Sequence, residues 1–225
     1  MVARIAVVTA NLGKFDPIFK YWNQSVEYDY YLFTDDNFPP RMCAMTPRMQ
    51  ARIVKCFAWQ MVPGYDYYIW VDGSCSLWNR DSVKWFLEQC DGYDAAFFRH
   101  PDRSTIQQEC DFLKLKLAQQ SRYICSRYQG ELLDEQMAEI NSDPTFTDNL
   151  LIASTAFVYR DSPSMQDLFK HWWYHISRYH IIDQLSLPYV IHKSVCRVNI
   201  INENYGNIPY LTHTRKLHEQ PEIHS

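Results

Sequence analysis

The run over residues 4–10 is apolar and rich in β-branched side chains, and it stops at Asn11-Leu12-Gly13. Such a run bounded by turn residues predicts a buried strand that passes into a loop at its carboxyl end. Residues 28–33 predict a second strand, closed by Thr34-Asp35-Asp36 and Pro39-Pro40. Thr46 then offers an N-cap oxygen with Pro47 at the first helical position, and Met49, Ile53, Phe57 and Met61 recur every four residues, so a helix over 47–61 follows. Pro63-Gly64 turns the chain into YDYYIWV (65–71), a third strand with Asp72-Gly73-Ser74 at its carboxyl end. A helix over 81–90, a strand over 94–98 and a long helix from about 105 complete the first half. Ser104 and Gln107 form the capping box of that long helix, which breaks near Gly130. The pattern continues with a strand at 155–159, an aromatic helix at 164–179, a short helix over 183–192 and a β-rich segment at 195–201. From about residue 202 no periodicity remains.

Strands alternating with helices predict an α/β fold with a mostly parallel sheet and helices on both faces. No repeat, low-complexity run or linker divides residues 1–225, so one domain is expected. Ligands of such sheets gather at the carboxyl ends of the strands. Three polar clusters fall there: Thr9-Ala10-Asn11, Thr34-Asp35-Asp36 and Asp72-Gly73-Ser74.

Composition narrows the chemistry. A formal net charge of −4 leaves no basic footprint for nucleic acid. No stretch approaches the roughly 20 apolar residues of a membrane span, and the apolar start is too short for a signal peptide. Seven cysteines form no CxxC pair and leave one over, which predicts free thiols and a reducing, cytoplasmic setting. Only six glycines are present, none arranged as a dinucleotide or P-loop fingerprint. Sixteen Tyr and seven Trp suit a sugar cleft, whose flat apolar rings match the C–H face of a pyranose, but they also suit a large core.

The segment YYIWVDGS is the most informative. Strongly β-forming residues end abruptly on a carboxylate, a glycine and a hydroxyl, an oxygen-rich strand end that suits a hard divalent cation. A plain Asp-Gly turn is the competing account. Arg48, Arg52 and Lys55 lie three or four apart, so one side of helix 47–61 can present all three to a diphosphate or simply to solvent. His171 and His175 stand at i and i+4 without the glutamate of the metalloprotease motif, which reads as an aromatic core helix with surface histidines.

The stretch from Ala51 to Leu77 carries an R-x-x-K helix, Arg52 and Lys55, followed by a strand ending W-x-D-G, Trp70, Asp72 and Gly73. With Phe98-Arg99-His100, Arg103, Glu109 and Asp183-Gln184-Leu185-Ser186 in order behind it, the chain resembles the glycosyltransferase-like family of plant Golgi seed-mucilage and turgor proteins and its microbial relatives. The resemblance covers roughly residues 50–190, poorly between 125 and 150. It implies a GT-A (Rossmann-like) fold, a nucleotide-sugar donor, a carbohydrate or glycan acceptor, and Mn²⁺ or Mg²⁺ on an Asp-x-Asp type motif. Ser74 departs from the strict motif, so His213 is expected to complete a metal set of Asp72, Ser74 and His213. A UDP-sugar is the favoured donor, with uracil and ribose on Thr9, Asn11 and Asp35 and the diphosphate on Arg52 and Lys55. Asp183 is the candidate general base, with helix N-capping as its competing role, and Arg99 and His100 are placed beside the transferred sugar or acceptor. The rival functions are a sugar nucleotidyltransferase and a catalytically silent carbohydrate- or nucleotide-binding module.

Overall fold

A computed structural model describes residues 2–16, 23–41 and 43–213. Its centre is a six-stranded sheet made of β1 (Ile5–Asn11), β2 (Asp29–Thr34), β3 (Tyr67–Val71), β5 (Ala95–Arg99), β6 (Ile152–Arg160) and β7 (Val198–Ile201). They lie in the order β2-β1-β3-β6-β5-β7. β1 pairs in parallel with both β2 and β3, and β5 in parallel with β7. β6 alone runs against its neighbours, antiparallel to β3 and to β5. The sheet is therefore mostly parallel. β4 (Cys75–Ser76) and β8 (Thr212–His213) form a separate antiparallel ribbon, with Cys75 opposite His213.

β1 is buried throughout, as its unbroken apolar run requires of a central strand covered on both faces. Against one face pack α1 (Pro47–Met61) and α6 (Pro163–Arg178), burying Val54, Ala58, Phe169 and Trp172 against Tyr68, Trp70 and Phe157. α2 (Ser82–Gln89) covers the other face through Val83 and Phe86. A third cluster joins α3 (Ile106–Ala118), α4 (Arg122–Tyr128), α5 (Leu133–Asn141) and α7 (Leu187–Lys193) around Ile106, Leu113, Met137 and Leu185.

Helix α1 begins as its capping residues predict, with the Thr46 hydroxyl accepting from the Met49 amide at 3.2 Å. Elsewhere local signals were overruled. The long helix from 105 starts on Thr105 rather than Ser104, since the Thr105 oxygen accepts from Gln108. It stops at Ala118, twelve residues before Gly130, because Gln120 adopts a φ of 53° and the chain restarts as α4 and then α5. The expected helix 183–192 is a 3-10 turn at Asp183–Leu185 followed by α7. The tail from 202 is irregular yet anchored: Ser82 donates to the Tyr210 carbonyl at 2.8 Å, and Tyr210 stacks on Trp85. His175, expected at the surface, is buried beside Glu139 and Gln136.

Candidate active site

β1 and β3 lie side by side, and the chain leaves them in opposite directions across the sheet, to β2 from β1 and to β5, beyond β6, from β3. Parallel strands that diverge in this way open a crevice at their carboxyl ends. A cleft of about 720 Å³ lies there, lined by Ala10–Leu12 at the end of β1, Asp72–Ser74 after β3, Arg48 and Arg52 of α1, Tyr123 and Arg127 of α4, and His213. Gly73 is required by this geometry, because a Cβ at that position would come within 2.9 Å of the Ala10 carbonyl oxygen.

Behind the cleft floor lies a buried charge network. Lys55, only 1% exposed, donates to Asp183 Oδ2 at 2.7 Å, to Ser154 Oγ at 3.2 Å and to Asp72 Oδ1 at 3.4 Å. Ser154 in turn donates to Asp183 Oδ1 at 2.9 Å, and Arg52 Nε lies 3.1 Å from Asp183 Oδ2. Two tryptophans complete the frame. Trp70 Nε1 donates to Asp72 Oδ1, Trp172 Nε1 donates to the Asp183 carbonyl, and the ammonium of Lys55 lies 5.6 and 5.8 Å from the two ring centroids. Burial alone would raise the Asp183 carboxyl, but Arg52 and Lys55 outweigh it and hold the group below the usual carboxylate range. Asp183 and Asp72 likewise raise Arg52 against the effect of burial.

A second network lies next to the first in sequence. His100 Nδ1 accepts from the amides of Asp102 and Arg103, so it is the unprotonated nitrogen of a neutral ring, and burial lowers the pKa of that ring. Arg103 pairs with the buried Glu109, which also accepts from Gln184. The scattered residues of the Phe98–Arg103, Glu109 and Asp183–Ser186 segments thus meet through two adjacent positions, Asp183 and Gln184.

Of the residues singled out in the sequence, Asn11, Arg48, Arg52, Trp70, Asp72, Gly73, Ser74 and His213 line the cleft. Thr9 is buried within β1. Asp35 binds the Gly13 amide at 2.9 Å and fixes the loop after β1. Lys55 and Asp183 lie behind the cleft wall, and the Asp183 side chain makes no helix-capping bond. Arg99 is exposed and donates to Asn202 at 3.0 Å. Sequence reasoning missed Asp16, Tyr123 and Arg127. Asp16 is tied to the end of β1 by reciprocal bonds with the Asn11 side chain, and Asn11-Leu12-Gly13 was the signal for a loop that returns there.

Residues 42–208 match the family described as TOD1/MUCI70, glycosyltransferase-like domain. The chain belongs to this family. Among curated proteins none matches the sequence. Solved structures show the fold: a glycosyltransferase involved in the glycosylation of the major capsid of PBCV-1 superposes with a TM-score of 0.50 at 8% identity, over 93% of this chain and 94% of that one. A 4-diphosphocytidyl-2C-methyl-D-erythritol synthase from Anaerococcus prevotii is more distant, with a TM-score of 0.40 at 11% identity over 92% and 91% of the two chains. The TOD1/MUCI70 match takes in α1, β3, both charge networks and α4, and it ends before His213.

The cleft of this glycosyltransferase-like domain also bears on a metal. Among the described residues no three His, Cys, Asp or Glu side chains cluster as a closed metal cage. Asp72, Ser74 and His213 all line the cleft, with His213 Nδ1 3.5 Å from Cys75 Sγ, and the Asp72 carboxylate fits the open kind of site, in which Mg²⁺ or Mn²⁺ takes one or two carboxylates and draws its other ligands from water and phosphate. No helix among the described residues is long and apolar enough to cross a membrane.

Proposed function

We propose that this domain transfers a glycosyl group from a nucleoside diphosphate sugar, a UDP-sugar in the first instance, to a hydroxyl of a carbohydrate acceptor. One observation carries the reading: the carboxylate of Asp72 ends a rigid, buried strand inside a cleft at the carboxyl ends of β1 and β3, in a chain of a glycosyltransferase-like family. The nucleoside lies against Asn11 and the loop that Asp35 holds. Thr9 supports that end of β1 from within.

Asp72, Ser74 and His213 would hold a divalent cation, Mn²⁺ or Mg²⁺, which would supply positive charge at the departing diphosphate. The protein's own contribution is preorganisation. Lys55 and Trp70 both bond Asp72 Oδ1, which fixes the carboxylate plane and leaves Oδ2 for a ligand. Asp183 acts as a positioning residue. With Lys55 and Arg52 on one oxygen and Ser154 on the other, and with its pKa held low, it is ill suited to take a proton from an acceptor hydroxyl. What it does instead is hold Lys55, which holds Asp72. Arg99 and the His100–Arg103–Glu109 network brace the strand end and turn on the other side of β6, and His100 reaches the reaction only through Gln184.

The test is calorimetry with uridine and guanosine diphosphates, with and without Mn²⁺, on the wild type and on Asp72→Asn. A nucleotide-binding signal that strengthens with Mn²⁺ and is lost in Asp72→Asn is expected. A wild type that binds neither nucleotide contradicts the reading and leaves the silent carbohydrate-binding module in its place.

A further inference from the structure

The buried network is electrically closed. Lys55 and Arg52 carry two positive charges, Asp183 and Asp72 carry two negative ones, and the ion pairs join all four. The R-x-x-K pair therefore has little charge to give to a diphosphate, whose two phosphates need neutralising in the cleft. The two other cations of the cleft, Arg48 one turn before Arg52 on α1 and Arg127 on α4, stand outside that network. Arg48 lies over the ring of Phe15 at 4.5 Å and Arg127 over the ring of Tyr123 at 3.9 Å. All four side chains line the cleft, and neither arginine makes an ion pair with a carboxylate among the described residues.

Two guanidinium groups facing one cleft repel each other, and Arg48 registers it: burial first, then the charge of Arg127, lowers its pKa. Each group has a ring beneath its flat face, which fixes the guanidinium plane; Arg127 also bonds the Tyr128 side chain, and a guanidinium's five N–H donors leave others for a ligand. The planar edge of a guanidinium suits the paired oxygens of a phosphate. Phe15 and Tyr123 are each 55% exposed, so both rings are open to a ligand in the cleft as well as to the arginines above them.

We propose that Arg48 and Arg127, seated on Phe15 and Tyr123, form the oxyanion subsite of the cleft and take the diphosphate of the donor. This rests on the nucleotide-sugar reading above. The same chemistry would serve an anionic group on the acceptor, so the probes separate the two. Affinities for inorganic pyrophosphate, uridine diphosphate and uridine are measured by calorimetry, in Mn²⁺ and in chelator, for the wild type, Arg48→Gln, Arg127→Gln and Arg127→Lys. Arg122→Gln, exposed on the same helix and absent from the cleft lining, is the surface control.

Each glutamine variant is expected to weaken pyrophosphate and uridine diphosphate about tenfold or more, with uridine unchanged. Arg127→Lys keeps the charge but loses the paired donors, and falls between. Arg122→Gln binds as the wild type does. A wild type that binds uridine diphosphate, with Arg48 and Arg127 variants that bind it equally well, overturns the subsite and leaves the nucleotide-sugar reading standing. If the wild type binds pyrophosphate through these arginines but no nucleotide, the subsite stands and the donor reading falls. Binding of neither probe overturns both.

Discussion

Asp183→Asn removes one charge from the buried network while keeping the side chain's size and its capacity to bond Ser154. In the wild type the ammonium of Lys55 has Asp183 at 2.7 Å and Asp72 at 3.4 Å, and it is 1% exposed, so water cannot replace the lost partner. Breaking a buried pair from one side costs about 3–5 kcal/mol, because the remaining charge stays desolvated. Asp72 keeps part of the compensation and Arg52 is one-fifth exposed, so the lower end, about 3 kcal/mol, is the working figure. For a chain of this size that corresponds to a fall of roughly 6–12 °C in Tm. Calorimetric or fluorescence-monitored melting at pH 7 reads it. The double variant Lys55→Met/Asp183→Asn should recover much of the loss, giving a coupling of about 1–3 kcal/mol. The pH dependence has a definite sign. A carboxyl held low in the folded state contributes stability that is present above its unfolded pKa, near 3.9, and lost as pH falls below that value. Wild-type Tm should therefore drop more steeply below pH 4 than that of Asp183→Asn. A melting point within about 2 °C of the wild type at pH 7, with parallel acid limbs, would refute the network as described.

Two further outcomes follow from burial. His180 is buried and its pKa is pushed down to about 4, so between pH 6.5 and 4 the unfolded chain binds a proton that the folded one refuses, and stability falls as pH falls through that window. Replacing His180 with phenylalanine should flatten the Tm profile between pH 6.5 and 4, and an unchanged slope there would remove His180 as its cause. All seven cysteines are free, and Cys43 alone is exposed while Cys56, Cys75, Cys90 and Cys110 are buried, with burial raising these four thiols. Native-state alkylation followed by mass spectrometry should label Cys43 first and find no disulfide; early labelling of Cys56 or a formed bridge would contradict the structure.

What was legible in the sequence was local. The Thr46–Met61 helix and the strand ending at Asp72 were readable because a cap, a four-residue period and a β-forming run halted by Asp-Gly act over a few residues. The mostly parallel sheet followed from their alternation. Asp183 was placed in a helix that it would cap, since aspartate ahead of an apolar segment normally does so. Its carboxylate instead meets Lys55, 128 residues away, a contact that no local pattern encodes. The break at Gln120 was invisible for the opposite reason: Gln119-Gln120-Ser121 contains neither glycine nor proline, and only packing around Ile124 and Met137 sets α4 and α5 at their angle. With that break missed, Arg127 and Tyr123 had no reason to be placed at a cleft.

The central claim is that the Asp72 cleft transfers a sugar from a nucleoside diphosphate donor. Release of free nucleoside diphosphate, followed in real time across a panel of UDP- and GDP-sugars with Mn²⁺ present and glycan acceptors supplied, measures it most directly. The account predicts release for at least one donor, faster with acceptor than without, and its loss in Asp72→Asn while the variant's melting point shows the fold intact. Turnover that survives unchanged in a folded Asp72→Asn protein would contradict it.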